Sequence, residues 1–239
     1  MTISLPKFPG QVSAVRSLTE PPSDIRSEPA PRPTRRGGGV YRAGIKRLLD
    51  IAAILAAAPV VLPIVAVLAI GVAHEGGRPF YSQVRVGRGG KPFRMWKLRS
   101  MVNDADERME AHLAENPAAR AEWDSTQKLK DDPRVTRFGQ FLRRSSLDEL
   151  PQLWNVLTGD MSLVGPRPMM LNQQSIYPGE AYYRLRPGIT GYWQTAGRNK
   201  TTFEARAEFD AAYEAELSMM TDLRILARTV GVVLKGTGY

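Results

Sequence analysis

Residues 51–73 read I-A-A-I-L-A-A-A-P-V-V-L-P-I-V-A-V-L-A-I-G-V-A, without one charge. The run is long enough to cross a bilayer. Two features argue against a simple crossing. Pro59 and Pro63 fall near its middle, and each removes a backbone donor and pushes a helix to kink. The flanks are also basic on both sides: Arg42, Lys46 and Arg47 before, Arg78, Arg85, Arg88, Lys91 and Arg94 after. A spanning segment is expected to carry its basic excess on one side. The symmetry favours a re-entrant helix-break-helix hairpin with both ends on the cytoplasmic side. A buried core helix is a third option, disfavoured by so long a stretch without charge.

The rest of the chain divides around this segment. Residues 1–39 are rich in proline, serine, arginine and glycine and lack sustained apolar periodicity, as expected of a disordered basic tail. They do not resemble a signal peptide, which needs an apolar core before a cleavage site. Residues 40–75 are read as the membrane segment and 76–239 as a domain at its cytoplasmic face that holds the candidate catalytic residues. Arg32, Arg35, Arg36, Arg42, Lys46 and Arg47 are candidates for anionic headgroups, with a solvated linker as the alternative. At 239 residues the chain can bury a full core. It has no cysteine, which excludes disulfides and thiolate metal sites, and only His74 and His112, which disfavours a zinc site or a Ser-His-Asp triad. The net charge of +9 suits nucleic acid, anionic lipid or phosphorylated substrates, and the apolar segment favours the last two.

Alternation from Arg78 to Met101, with Gly87, Gly89 and Gly90 at a turn, predicts a β-hairpin. Residues 102–127 are acidic and alanine-rich and predict a solvated helical excursion broken at Pro117. Short helices are expected over 135–144, 147–157 and 202–217, and a last one over 222–235 with Leu223, Leu226, Val230, Val233 and Leu234 along one side. The fold class is therefore α/β: a re-entrant membrane hairpin, short interfacial helices and a small sheet that carries the site.

The chemistry concentrates in S-S-L-D-E-L-P-Q-L-W-N-V-L-T-G-D-M-S-L-V-G-P-R-P, residues 145–168. Asp148 and Glu149 stand where a helix should begin. With Ser146 as N-cap, Glu149 closes a capping box; with Asp148 as cap, Pro151 falls where its missing donor costs nothing. A lone S-x-D-E is usually no more than a cap. Here Arg167 follows one helix later, stiffened between Pro166 and Pro168. Two carboxylates can hold a divalent metal or attack phosphorus, and a fixed guanidinium can grip phosphate oxygens. The alternative for Arg167 is a rigid turn paired with an acid such as Asp160. R-P-G-I-T-G, residues 186–191, could present backbone amides to phosphate. Arg198 is a further phosphate candidate, with a surface salt bridge as its alternative. Lys97 and Arg99, two apart on a strand, would face the same side and bind phosphate or headgroup, or form a solvated edge.

These residues together resemble the bacterial sugar transferases, monotopic polyprenyl-phosphate phosphoglycosyl transferases of the short exopolysaccharide type. The likeness rests on K-R-x-x-D (Lys46, Arg47, Asp50), F-R-M-W-K-L-R-S-M, R-x-S-L-D-E-L-P-Q-L, S-L-V-G-P-R-P, R-P-G-I-T-G and G-R-N, in that order from about Arg42 onward. It implies that a UDP-sugar donor passes its sugar-1-phosphate to a polyprenyl phosphate acceptor, as the first step of exopolysaccharide assembly. Asp148 would be the nucleophile, forming a covalent sugar-phosphate intermediate, and the ligand for Mg²⁺. Glu149 would assist. Arg167 would bind phosphate with Arg143 and Arg198 in support. It also implies the re-entrant hairpin at the cytoplasmic face of a bacterial inner membrane. Family members often carry serine before the central proline, where this chain has Ala58. Membrane lipid is an expected partner and nucleic acid is not; a homo-oligomer, the sugar carried and the polysaccharide made stay open. Two rivals are a catalytically inert membrane-anchored interaction protein and a cytosolic nucleic-acid-binding protein; the apolar segment speaks against the second.

Overall fold

Lys46–His74 forms one helix, α1, entered through a π-helical turn at Tyr41–Ile45. The structure, a computed structural model, describes residues 39–126, 129–196 and 203–234. The tail expected over 1–39 thus lies almost wholly outside the described residues. Both prolines sit inside α1, and the expected break into a helix-break-helix is absent. Their rings remove the donors that would reach the carbonyls of Leu55 and Pro59, yet the helix continues. Its ends explain why. Asp50 and Ile54 near one end, and Leu68 and Val72 near the other, are buried against the same domain. Residues near both ends of α1 therefore pack against the same domain, without a break between them. Between the ends, Leu55, Val60, Leu62, Val67 and Ile70 remain exposed.

The hairpin forms as the alternation predicts. β1 (Phe80–Val86) and β2 (Pro92–Leu98) pair antiparallel, with Phe80 opposite Leu98 and Val86 opposite Pro92. Gly89 and Gly90, both at positive φ, carry the turn. The acidic excursion is two helices, α2 (Ala105–Glu115) and α3 (Pro117–Thr126), the second opening at Pro117. It is more than a solvated arm, because Met109, Leu113 and Ala119 bury a small core of their own.

α4 (Arg137–Ser145) is capped by Thr136, whose hydroxyl accepts from the Gly139 amide. A 3₁₀ turn at Leu147–Glu149 follows, then α5 (Gln152–Thr158). Neither expected capping register is observed: Ser146 makes no side-chain cap, and Pro151 stands at the N-cap of α5. Asn155 in α5 fastens this segment to the hairpin. Its Oδ1 accepts from the Trp96 amide at 3.0 Å and its Nδ2 donates to the Arg94 carbonyl at 2.7 Å. The open edge of β2 is thereby satisfied, and the turn before α5 is set beside Lys97.

β3 (Ser162–Val164) and β4 (Gly188–Thr190) form a separate parallel pair, with α6 (Ala181–Arg184) in the crossover. The single small sheet expected to carry the site is therefore two two-stranded ribbons in a mainly helical domain. A Cβ on Gly165 would run into the Arg186 carbonyl, and one on Gly188 into the Gly165 nitrogen, so only glycine permits this approach. The Gly188 amide donates to Pro166 O at 2.8 Å, so it serves the crossing of the two motifs rather than a phosphate.

The chain closes with α7 (Tyr192–Ala196), α8 (Arg206–Glu216) and α9 (Met219–Leu234). Val164, Leu185, Tyr213, Leu217 and Ile225 form the core there. α9 turns Ile225 and Leu226 inward, while Leu223 and Val230 face out, so the side expected to be uniformly apolar is divided between core and surface.

Asn155→Leu is expected to lower stability by about 1–3 kcal/mol. It strands the Trp96 amide and the Arg94 carbonyl, and thermal unfolding of the purified protein checks the loss.

Candidate active site

The acid turn has an unusual local geometry. Ser146 ends α4 in the left-handed region at φ 57°, and it is the only non-glycine residue with positive φ among the described residues. That reversal throws Asp148 inward, to 7 % exposure, while Glu149 lies at the mouth of a cleft of about 250 Å³. Lys97, reaching up from β2, bridges the pair: its Nζ lies 2.8 Å from Glu149 Oε1 and 3.3 Å from Asp148 Oδ2. Burial pushes the Asp148 carboxyl above its ordinary value; Lys97 draws it back, the Glu149 charge raises it further, and Arg143 lowers it. Arg143 is itself half-buried, with Nε donating to Ser100 Oγ at 2.8 Å, and burial lowers its pKa.

Arg167 lines the same cleft as Glu149, with Ser146, Thr190 and Gln194. Among the described residues no carboxylate forms a salt bridge with it, and Asp160 instead accepts from Thr158 and Asn155. Its backbone is fixed from behind. Arg206 donates to the Arg167 carbonyl at 2.8 Å, and its guanidinium lies 4.9 Å from both the Trp193 and Phe203 rings. Arg85 completes a cluster of three guanidiniums. Burial and then the Arg167 charge lower its pKa, and its Nε is buried without a hydrogen-bond partner among the described residues. Such a cluster favours an anion nearby.

The structure brings together Asp148, Glu149, Lys97 and Arg143, and places Arg167 on the same cleft as Glu149. It sends Arg99 elsewhere. That guanidinium takes the C-terminal carbonyls of α1, Val72 O at 3.1 Å and Gly76 O, and also bonds Asn103. The strand position suggested a shared face with Lys97; the nearby helix end claimed the side chain. Arg198 lies outside the described residues. The basic residues entering α1 are likewise engaged within the protein rather than held out for headgroups. Arg42 pairs with Glu214 at 2.8 Å, Lys46 with Asp222 at 2.5 Å, and Arg47 donates to Val156 O and Leu157 O.

Sequence reasoning missed Gln194, Arg85 and Arg206. Gln194 is 8 % exposed, and neither amide atom has a partner among the described residues. A buried amide left open in a cleft wall is costly unless a ligand completes it. Its position in G-Y-W-Q-T after the glycine motif gave no periodicity to mark it. Taken together, the cleft is lined by a carboxylate and an arginine, and behind the carboxylate a lysine joins it to a second, shielded one. That set can deliver an oxygen nucleophile to phosphorus while holding phosphate charge.

Known proteins resemble this chain over most of its length. A sequence model of the family described as "Bacterial sugar transferase" matches residues 41–236. The UDP-galactose-lipid carrier transferase of Erwinia amylovora is 47 % identical over 196 residues, 81 % of this chain and 41 % of its own length. The undecaprenyl-phosphate galactose phosphotransferase of Salmonella typhimurium is 44 % identical over 196 residues, again 81 % and 41 %. The chain thus spans about two fifths of those relatives. The exopolysaccharide production protein ExoY of Rhizobium meliloti is matched along 98 % of its length and 95 % of this chain, at 39 % identity. With the match running from the entry to α1 through α9, this chain belongs to the bacterial sugar transferase family.

Proposed function

We propose that the protein moves a sugar-1-phosphate from a UDP-sugar to a polyprenyl phosphate at the cytoplasmic face of the bacterial inner membrane, beginning exopolysaccharide assembly. The observation that carries this is the shielded Asp148 carboxylate, tied through Lys97 to Glu149, which lines the same cleft as Arg167. The names of the relatives, which include a UDP-galactose-lipid carrier transferase and an undecaprenyl-phosphate phosphotransferase, support the substrate classes.

On this proposal one oxygen of ionised Asp148 attacks the β-phosphorus of the donor. The bond from that phosphorus to the bridging oxygen breaks, and UMP departs with the electron pair. A sugar-phosphate remains on the carboxylate. An oxygen of the polyprenyl phosphate then attacks the same phosphorus, the carboxylate leaves, and a polyprenyl-diphosphate sugar is released. Two displacements replace one difficult transfer. Burial supports the first step by stripping water from the nucleophile, and Lys97 keeps it anionic. Glu149, at the mouth, can position the acceptor or take a proton from it. Arg167, with the Arg85 and Arg206 charges behind it, balances the phosphate oxygens.

Mg²⁺ belongs to the proposal. It is commonly held by one or two carboxylates together with substrate phosphates, rather than by a dedicated cage. Asp148 and Glu149 fit that donor set, whereas no group of three or more His, Asp or Glu is assembled among the described residues. When bound, the ion neutralises diphosphate charge. Lys97 already offsets part of the pair's charge, so the carboxylates would hold the ion only in company with the donor.

Asp148→Asn is expected to reduce turnover by about 10³-fold or more and to abolish the protein-bound sugar-phosphate seen by mass spectrometry with donor alone; wild-type turnover in that variant would refute the nucleophile. Because burial raises the Asp148 pKa, activity should fall with acidity from above the ordinary carboxylate range. Lys97 holds that pKa down, so Lys97→Met should move the acid limb to higher pH; a pH–rate profile checks the sign. Gln194→Leu should leave stability unchanged or raise it by about 1 kcal/mol, by removing unpaired polar atoms, while turnover falls. Thermal unfolding and released UMP read the two effects separately.

A further inference from the structure

α1 is held at its two ends, and its middle does not rest on the domain. There Ala58, Val61 and Val65 face Trp96, Leu153 and Trp154 across an apolar space of about 480 Å³. The wall contains no charged side chain. Its far side is continuous with the exposed apolar row of α1, and Trp154 at its rim is 61 % exposed. Its near side meets the catalytic cleft, because Leu150 and Leu153 line both. Leu150 follows directly on Glu149, and Leu153 one turn later. A molecule with a polar head in the cleft and a long apolar chain could therefore lie with the head beside Glu149 and the chain under α1, without leaving apolar surroundings.

We infer that this groove takes the isoprenoid chain of the acceptor and aims its phosphate at the cleft. The inference rests on the proposed function and adds the place where the chain lies. Two physical points favour an isoprenoid over a second helix or a soluble ligand. The space is covered on one side by a single helix, α1, and lined on the other by β2 and α5, which suits a flexible chain rather than a folded segment. Its wall is almost wholly apolar and offers little to orient a soluble ligand. The chain gains little hydrophobic free energy on entering, since bilayer tails are already apolar. What the groove supplies is alignment, and alignment of an attacking group is worth a large share of a rate.

The test separates the two half-reactions. In Ala58→Trp the added ring fills the groove. Formation of the protein-bound sugar-phosphate from donor alone should stay within about twofold of the parent. Transfer to undecaprenyl phosphate should fall by about tenfold or more in kcat/KM, and transfer to a phosphate bearing only two isoprene units should hardly change. Trp154→Ala, at the exposed rim, should weaken transfer to the long acceptor selectively in the same way, and it decides the matter where Ala58→Trp does not fold. Equal losses for long and short acceptors, or no loss for either, would overturn the inference. A photoactivatable isoprenyl phosphate should label α1 or α5 and be displaced by undecaprenyl phosphate but not by phosphatidylglycerol vesicles; equal displacement by both would mark a general lipid groove and also overturn it. Absence of adduct and transfer in the parent protein would instead count against the proposed function.

Discussion

Arg47 gives its guanidinium to the carbonyls of Val156 and Leu157, and three residues on Asp50 accepts from Ser162 Oγ at 2.6 Å. One turn of α1 thus grips the end of α5, which carries the segment behind the acids, and the start of β3, which leads to Arg167. Alongside, Asp222 accepts from Tyr41 and Tyr213, each at 2.7 Å, and from Lys46. These are charges and hydroxyls withdrawn from water, where each bond counts for more than on the surface and a missing partner is costly. The distance between the two walls of the cleft depends on this clasp, since neither the three-residue strands nor the short α5 could fix it alone.

Much of the architecture was legible. Period-two alternation and three glycines announced the hairpin, Pro117 announced the start of α3, and the order of motifs announced the acid pair and Arg167. Other features were hidden for identifiable reasons. Prolines were expected to break α1, but tertiary anchoring at both ends outweighs the loss of two backbone bonds. The basic residues at its entry suggested headgroups because sequence shows charge and not partners; Glu214 and Asp222, which claim Arg42 and Lys46, lie far along the chain. Arg99 was assigned to the site by strand parity, yet a helix terminus with open carbonyls lay within its reach. Asn155 and Gln194 are single polar residues inside helical stretches. Nothing local distinguishes an amide that closes a strand edge from one left open in a cleft.

The cleft also shows how opposite electrostatic demands are met in a small space. On the function proposed, the attacking carboxylate should be dry, which makes its charge costly, and still be ionised. Depth within the fold provides the first condition and Lys97 the second. The arginines meet the converse demand. Arg85, Arg167 and Arg206 repel one another; Asp210 offsets part of that charge at Arg206, an anion in the cleft would offset more, and Trp193 and Phe203 hold Arg206 in place.

The exposed apolar row on α1 has a kinetic consequence. With the domain clasped to both ends of that helix, the molecule has one oily side and is confined, on the function proposed, to a sheet-like medium. Encounters with a lipid-borne partner are then set by surface density and lateral diffusion, whereas a water-borne nucleotide arrives from the bulk. Diluting the enzyme in solution would leave the first frequency untouched, and expanding the lipid area would lower it.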